Sequence, residues 1–598
     1  MPKDKPLWEV NKELVDVATG RAKADLVIKG GDLVNVYTGE IIENVDVAVK
    51  HGRIAYVGNA EHTIGDNTLV VKAEDRYIAP GLLDGHLHIE STMLTVTQFA
   101  RAVLPHGTTG VFIDPHEIAN VLGIKGVKLM VDESKTVPLR VFVCVPSCVP
   151  ASSPEFETSG ATIDAKEVEE ALSWDGVIGL AEVMNFPGVI AGDDKMFREI
   201  NVTLKKGKTV EGHISGIVGR DLVAYVAAGI TSCHESTKLV EAAEKLRLGM
   251  YVMAREGSAW KDLAEVIKVV TQKHMDYRRV ILVTDDMHPE DIWREGHMNR
   301  VVRRAIEEGV DPIRAIQMAT LNTAEHYRVD HEIGGIAPSR CADIILIRNL
   351  SKMDVEKVFV GGELVAENGK MVVEFSEFKY PDYALKTVHL KKPLEVEDLK
   401  IKAPIENGTV KAHVIGVEED KVVTKHLIEE VDVVNGEAVP SINRDIAKAA
   451  VVERHKGTGN IGLGFVKGFE LKAGAVGSTV GHDSHNMIIV GVNDQDMVLA
   501  GNKLAEVGGG LIVVKDGKVL ELLELPIAGL MSDRPVEEVS EKVAWLGNAW
   551  RALGCTISSP FMLLSMLALP VIPELRLTDK GLVDVVKFEK ISLFEEGK

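Results

Sequence analysis

Apolar and polar residues alternate along two separated stretches of the chain. Residues 25–78, in "ADLVIKGGDLVNVYTGEIIENVDVAVKHGRIAYVG" and beyond, read as short strands separated by Gly-Gly, Thr-Gly-Glu and His-Gly-Arg turns. A similar pattern returns in "CADIILIRNLSKMDVEKVFVGGELVAENGKMV". We therefore predict one small β-sandwich that a long insertion splits in two.

The insertion alternates short β-branched runs with amphipathic segments such as "KLVEAAEKLRLG". Eight strands are predicted, at residues 77–83, 109–114, 140–146, 177–183, 209–213, 230–235, 249–255 and 279–285. Eight strand–helix units in about 250 residues indicate an α/β fold of the (β/α)₈ TIM-barrel type. A doubly wound open sheet is the alternative, but no G-x-G-x-x-G follows the first strand.

The last third of the chain predicts a separate α/β domain. "GGGLIVVKDGKVLELLELP" reads as a hairpin with its turn at residues 515–517, and "VEEVSEKVAWLGNAWRAL" reads as a helix. We therefore divide the chain into a composite β domain (1–78 with 335–400), a barrel (79–334) and a C-terminal domain (401–598).

Composition narrows the class of protein. The 598 residues are 45% hydrophobic and 26% charged, which is ordinary for a soluble protein of several domains. No apolar run reaches the length of a bilayer span, and the N-terminus is polar, so we expect no membrane and no secretory signal. Five scattered cysteines indicate reduced thiols and a cytoplasmic location.

The formal net charge of -21 argues against a nucleic-acid partner, because phosphates would be repelled. It does not argue against a neutral nucleobase. The size and the acidic surface are compatible with a homo-oligomer, a dimer or larger.

Candidate chemistry begins in "APGLLDGHLHIE", where His86 and His88 close the first barrel strand. Alternate residues of a strand share a face, so both imidazoles point the same way. The pair is consistent with a metal site, and equally with two solvated histidines at a strand end.

The ends of other predicted barrel strands also carry candidate ligands. Each one alone reads as a helix cap or a loop charge, but a barrel brings all strand ends to one rim. Six nitrogen and oxygen ligands are too many for one tetrahedral ion and suit two cations of the Mn, Fe or Zn type. Cys233, beside a candidate histidine, should face outward into the core. The further ligands are Glu182, His213, His234 and Asp285.

Several segments resemble the amidohydrolase superfamily, and within it the bacterial and archaeal adenine deaminases. They are "APGLLDGHLHIEST", "GLAEVMNFPGV", "EGHISG", "GITSCHES", "TDDMHPEDI" and "MATLNTAEHYRVDHEIGGIAPSRCADIILI". The resemblance implies a metallo-dependent hydrolase barrel that converts adenine and water into hypoxanthine and ammonia, a step of purine salvage. It covers nearly the whole chain.

The resemblance also implies roles for the six ligands. His86, His88 and Asp285 would hold one divalent cation, His213 and His234 the other, and Glu182 would bridge them. We expect Mn²⁺ or Fe²⁺ in preference to Zn²⁺. Asp285 and Glu182 are the expected catalytic residues, and Asp285 would transfer the proton of the attacking water.

Substrate contacts are predicted on neighbouring loops, although a cap or a solvated charge is the alternative for each. The candidates in the barrel are Glu90, His116, Glu117, Arg255 and Asp286. In the C-terminal domain, "GHDSHN" offers His482, Ser484 and His485, and we expect this loop to close the purine pocket.

Two other functions remain open from the residues. One is an amidohydrolase that opens a cyclic amide, as a hydantoinase or dihydropyrimidinase does, because hydroxide attack uses the same apparatus. The other is a non-catalytic protein that keeps the fold, and the complete ligand set speaks against it.

Overall fold

A computed structural model describes residues 5–419 and 421–595. Strands from both predicted β stretches join in one nine-stranded sheet. Helix Leu7–Ala18 packs against it. In spatial order the strands are Lys370–Met371, Glu363–Glu367, Val355–Val360, Ile344–Ile347, Tyr77–Pro80, Leu26–Asn35, Glu40–Lys50 and Arg53–Gly58, and Leu69–Lys72 also pairs with Leu26–Asn35.

The two halves of this sheet meet at Tyr77–Pro80. This strand runs parallel to Leu26–Asn35 on one side and antiparallel to Ile344–Ile347 on the other. The prediction that residues 77–83 form one barrel strand is therefore wrong. The chain changes sheet at Gly81, where a Cβ atom would collide with the Thr109 side chain.

The predicted (β/α)₈ barrel is confirmed. Five strands form one arc and three form another. The arcs close where Thr231 N donates to Val210 O (3.0 Å) and Asp285 N donates to His86 O (3.1 Å). The barrel strands are Leu82–Leu87, Thr108–Ile113, Arg140–Val145, Val177–Val183, Thr209–Gly212, Ser232–Cys233, Tyr251–Arg255 and Val280–Val283.

Helices surround the barrel and bury its outer face. The interior is filled by side chains from several strands, among them Leu83, Phe112, Ala181, Met253 and Ile281. The helices are Val96–Val103, His116–Leu122, Ile124–Ser134, Ala165–Ala171, Phe186–Ala191, Asp194–Lys205, Arg220–Ala227, Leu239–Arg247, Leu263–Val266, Lys268–Thr271, Pro289–Glu295, Met298–Glu307, Pro312–Met318 and Leu321–His326.

The C-terminal part contains a ten-stranded sheet. Its spatial order is Ile401–Lys402, Glu437–Val439, Lys425–Val434, Gly408–Gly416, Ile461–Lys467, Ile446–Val452, Met487–Gly491, Ala475–Ser478, Gly510–Lys515 and Lys518–Glu524. A smaller sheet contains Leu575–Thr578, Gly581–Asp584 and Glu589–Ile591. The helices are Asp382–Leu385, Asp494–Val507, Val536–Ala552 and Pro560–Met566. The predicted hairpin and the predicted helix are both observed.

The domain boundaries stay predictions. Leu394 and Leu399, which we assigned to the composite β domain, pack in a core cluster with residues of the ten-stranded sheet. Within residues 5–419 and 421–595, no helix combines the length and the apolar character that crossing a bilayer would require.

The C-terminal part contacts the barrel directly. Thr158, in the loop after the third barrel strand, donates from N and Oγ1 to the Asp579 carboxylate at 2.9 and 2.7 Å. Ser532 N donates to Met93 O at 2.8 Å. Helix Pro289–Glu295 also packs against helix Val536–Ala552. These contacts lie on the loops that follow barrel strands, which is where the candidate ligands are.

Candidate active site

All six predicted metal ligands converge at the C-terminal end of the barrel. Five of them are almost inaccessible to solvent, whereas the side chain of His213 is 29% exposed. Each follows or closes a strand, so the barrel geometry brings together residues that lie up to 199 positions apart in the chain. They are His86, His88, Glu182, His213, His234 and Asp285.

Hydrogen bonds fix the ring orientation of the first two histidines. His86 Nδ1 lies 3.3 Å from Glu211 Oε2, and His88 Nδ1 lies 2.9 Å from Asp114 O. Both partners are acceptors, so each Nδ1–H donates, and Nε2 is the ring atom that each histidine turns towards the other candidate ligands. Such partners commonly orient metal-binding imidazoles.

Glu182 lies between the two groups of histidines. Its Oε2 is 2.7 Å from His213 Nδ1 and 3.0 Å from His234 Nε2, and its Oε1 is 3.5 Å from His88 Nε2. Burial opposes a charge on this carboxyl, but His213 and His234 hold its pKa well below its usual range. Glu182 is therefore an ionised carboxylate with one oxygen facing each group.

Asp285 stands opposite Glu182. It adopts φ +63°, a left-handed conformation, two residues after the end of the eighth strand. Its Oδ1 is 3.2 Å from His88 Nε2, and its Oδ2 accepts a 2.8 Å hydrogen bond from Arg255. Burial opposes ionisation, yet the bond to His88 and the charge of Arg255 hold the pKa of Asp285 well below its usual range.

The donor set fits divalent cations. His86 Nε2 is buried and has no hydrogen-bond partner, although it faces Asp285 Oδ1 at 3.7 Å. Neutral imidazoles with carboxylates, and without thiolate, suit Mn²⁺, Fe²⁺ or Zn²⁺. Ligand atoms within reach of one another form overlapping groups, including His86 with His234 and Asp285, and Glu182 with His213 and His234. His234 thus stands between both groups.

A second polar layer lies beside these ligands. His116 Nδ1 is 3.2 Å from Glu182 Oε1 and 3.0 Å from Asp114 Oδ2. Its Nε2 is 3.4 Å from Glu117 Oε1. Two of the predicted substrate residues, His116 and Glu117, therefore reach the rim, and Asp114 joins them there.

The C-terminal "GHDSHN" loop enters this layer. His482 Nδ1 lies 2.7 Å from Glu117 Oε1, and His485 Nε2 is hydrogen-bonded to Glu117 Oε2. Ser484 lies apart from this contact, because its hydroxyl accepts from Asn486 Nδ2 and its carbonyl bonds His455. The loop brings the two histidines to the barrel rim, and the Ser484 side chain also bonds the buried Glu157 carboxyl in a barrel loop.

The other predicted substrate residues differ in what they offer. Burial raises the pKa of Glu90 to about 7, and Glu90 Oε2 is buried without a hydrogen-bond partner. Asp286 is half-buried and accepts from Ser91. Arg255 is occupied by Asp285 and by Asp262, whose Oδ2 it binds at 2.7 Å. Arg255 thus contacts a metal-ligand candidate rather than open space.

Three structural partners were not anticipated from the sequence. Glu211 bonds His86, and it lies two residues before His213, a strand spacing that could have revealed it. Tyr225 and Lys245 reach the ligand segments from helices, and no motif marks them. Cys233 is fully buried, as expected of a core residue.

The chain is similar to known proteins over its full length. Residues 77–365 match the amidohydrolase family, and residues 421–589 match the adenine deaminase C-terminal domain. Proteins named adenine deaminase from Moorella thermoacetica and Clostridium botulinum are 54% and 48% identical, each covering 99% of both chains. One named adenine deaminase 3, from Rhizobium meliloti, is 50% identical over 98% of both chains. This chain therefore belongs to the adenine deaminase family of amidohydrolases.

Proposed function

We propose that this protein catalyses the hydrolytic deamination of adenine to hypoxanthine and ammonia. The observation that carries the proposal is the position of Glu182 between two groups of histidines, in a chain about half identical to proteins named adenine deaminase. These relatives do not support the alternative of a hydantoinase or dihydropyrimidinase that opens a cyclic amide.

The site is proposed to hold two divalent cations, Mn²⁺ or Fe²⁺ in preference to Zn²⁺. His86, His88 and Asp285 would hold one cation, His213 and His234 the other, with Glu182 between them. Bound divalent cations supply a water molecule that ionises near neutral pH and can attack an electron-poor ring carbon.

Asp285 is the proposed proton carrier. The bond to His88 and the charge of Arg255 keep this carboxylate ionised despite its burial, so it can accept the proton of the attacking water. It then returns a proton towards the ring or the departing amino group. Glu182 keeps its negative charge throughout and lies between the two groups of histidines.

Recognition of the purine is assigned to the polar layer around the ligands. Glu90 has one free, buried carboxyl oxygen and a pKa of about 7, so it can exchange a hydrogen bond with a ring nitrogen. His116, Glu117 and Asp286 border the same space, and the loop with His482 and His485 covers it and excludes water. Arg255 and Ser484 have less direct roles, through Asp285 and through the loop.

The proposed setting is purine salvage in the cytoplasm. All five cysteines are free and buried, which suits a reducing compartment. We further propose a homo-oligomer, a dimer or larger, with adenine and water as the small-molecule partners and with no nucleic-acid or membrane partner.

Metal analysis combined with a substrate screen tests this function. The purified protein should contain two divalent cations per chain and release ammonia from adenine. A chelator should abolish that activity and Mn²⁺ should restore it. Adenosine, hydantoin and dihydrouracil are the comparison substrates. Ring opening of a cyclic amide without ammonia release from adenine would refute the proposal.

A further inference from the structure

Lys245 carries an ammonium group that is wholly buried beneath the ends of the fifth and sixth barrel strands. The residue belongs to helix Leu239–Arg247 and has no solvent exposure. Its Nζ lies 2.7 Å from Ile214 O, 2.9 Å from Ser236 Oγ and 3.2 Å from Cys233 Sγ. An ammonium group has three N–H donors, so every donor is used.

The three acceptors flank the two histidines assigned to the second cation. Ile214 directly follows His213, and Cys233 directly precedes His234. The serine hydroxyl lies two residues after His234. One side chain thus ties together the two chain segments from which these ligands project.

Packing alone does not account for a lysine at this position. Within the described part of the chain, no aspartate or glutamate forms an ion pair with Lys245. Burying an ammonium group is costly, and a methionine would fill similar space without that cost. What the lysine adds is three directional hydrogen bonds between two neighbouring strand ends.

A second crosslink completes the same rim. The Tyr225 hydroxyl donates to Val183 O at 2.7 Å and accepts from His213 N at 2.9 Å. Tyr225 therefore joins the end of the fourth strand, next to Glu182, to the fifth, and Lys245 joins the fifth strand to the sixth. These two bridges connect the three strand ends that carry Glu182, His213 and His234.

We propose that Lys245 is a positioning residue for the second cation: its ammonium group fixes the separation of His213 and His234. This inference rests on the proposed metal centre. It concerns hydrogen bonding and geometry, because the ammonium group touches neither the ligands nor the substrate.

The test is stepwise Mn²⁺ titration of metal-free protein, with a competing chelator to measure both dissociation constants. Lys245→Met keeps the volume and removes the donors. We expect wild-type affinity for the first ion and at least about tenfold weaker binding of the second, the size of effect typical of groups that orient ligands. The KM for adenine at saturating Mn²⁺ should stay unchanged.

Lys448→Met is the matched control. Lys448 is also fully buried, and its Nζ bonds Leu399 O at 2.9 Å and Asp494 at 2.8 Å in the C-terminal part. This variant should melt at a lower temperature and bind both ions with wild-type affinity. The inference would be overturned if Lys245→Met bound both Mn²⁺ ions equally more weakly. It would also be overturned if Lys245→Met and Lys448→Met showed the same two dissociation constants.

Two further outcomes separate the inference from the proposed function. Wild-type protein that binds fewer than two ions refutes the metal centre and the inference with it. A wild type that binds two ions, beside a Lys245→Met variant with unchanged affinities, refutes the inference alone. If Lys245→Met does not fold, Ser236→Ala removes one acceptor. Ser236→Ala should weaken the binding of the second Mn²⁺ several-fold. Wild-type affinity for the second Mn²⁺ in this variant would also overturn the inference.

Discussion

Glu117 of the barrel and His482 of the C-terminal part are direct partners, with Oε1 and Nδ1 2.7 Å apart. Burial opposes a charge on Glu117, but the neighbouring His482, His485 and His116 hold its pKa well below its usual range. One carboxylate of the barrel thus contacts two histidines of the C-terminal part. The barrel rim is thereby joined directly to this loop of the C-terminal part.

The first prediction concerns this contact. His485→Ala leaves one oxygen of a buried carboxylate without its partner, so the loop should close less tightly over the purine. We expect the KM for adenine to rise about tenfold, equivalent to about 1.4 kcal/mol, with unchanged metal content. Steady-state kinetics on folded, fully metallated protein measure this.

His413→Ala serves as the control for the loop. His413 lies in the ten-stranded sheet, with Nδ1 2.8 Å from His426 Nε2, and touches no candidate ligand. Its kinetics should equal those of the wild type. Unaltered kinetics in His485→Ala as well would exclude this histidine from the pocket.

The second prediction concerns the bridge. Glu182→Gln removes the negative charge shared by the two groups of histidines, so at least one cation should be lost and kcat should fall about 100-fold or more. Metal analysis and turnover are measured together. Glu133→Gln is the control. Glu133 is also a buried glutamate, and burial raises its pKa. Its hydrogen-bond partners are Thr97 and Tyr380, and neither is a candidate ligand. Two ions per chain and a normal rate in Glu182→Gln would rule out the dinuclear assignment.

The third prediction separates catalysis from binding at Asp285. Asp285→Asn keeps the shape of the side chain but cannot take a proton, so kcat should fall by roughly 10²–10⁴. The KM for adenine should change far less, once saturating Mn²⁺ ensures occupancy. A raised KM with an unchanged kcat would contradict the assigned role.

The fourth prediction is a pH dependence of stability. Burial raises the pKa of Glu157, in the loop that contacts the C-terminal part, to about 7. The folded protein therefore binds this proton more tightly than the unfolded chain, whose glutamates titrate near 4.3. The stabilisation is complete below the unfolded pKa and is lost as the pH rises through about 7.

Glu157→Gln should abolish that dependence. Between pH 4.5 and 8, the free energy of unfolding of the wild type should fall by on the order of 1–3 kcal/mol relative to that of the variant. Melting temperatures across this range measure the difference. Parallel curves for both proteins would show that Glu157 titrates normally.

The barrel, and the convergence of the six candidate ligands at its rim, were predictable from the sequence for a physical reason. Buried strands are short β-branched runs, and a barrel collects the residues that follow them at one rim. His213 and His234 could therefore be grouped although no local motif joins them. The change of sheet at Gly81 was not predictable, because the apolar run continues across it without a break in pattern.

The supporting residues were largely hidden from sequence reasoning. Tyr225 and Lys245 lie on helices whose amphipathic pattern predicts only burial, and the direction of a long side chain into the rim depends on packing. Arg255 ends the seventh strand, where a substrate residue would be expected, yet its guanidinium group is hydrogen-bonded to Asp285. Tertiary packing decides which acceptors a buried lysine or arginine side chain contacts.

The pairing of Tyr77–Pro80 with Ile344–Ile347 has a consequence for synthesis on the ribosome. The earlier strand emerges more than 260 residues before its partner, and at about 5–20 residues per second the delay is roughly 15–50 s. During that interval its outer edge has no strand to bind, so the nascent chain carries an open β edge next to newly made apolar segments. Completion of the first sheet must therefore follow translation of the whole barrel, and this edge stays open to non-native strand pairing until then.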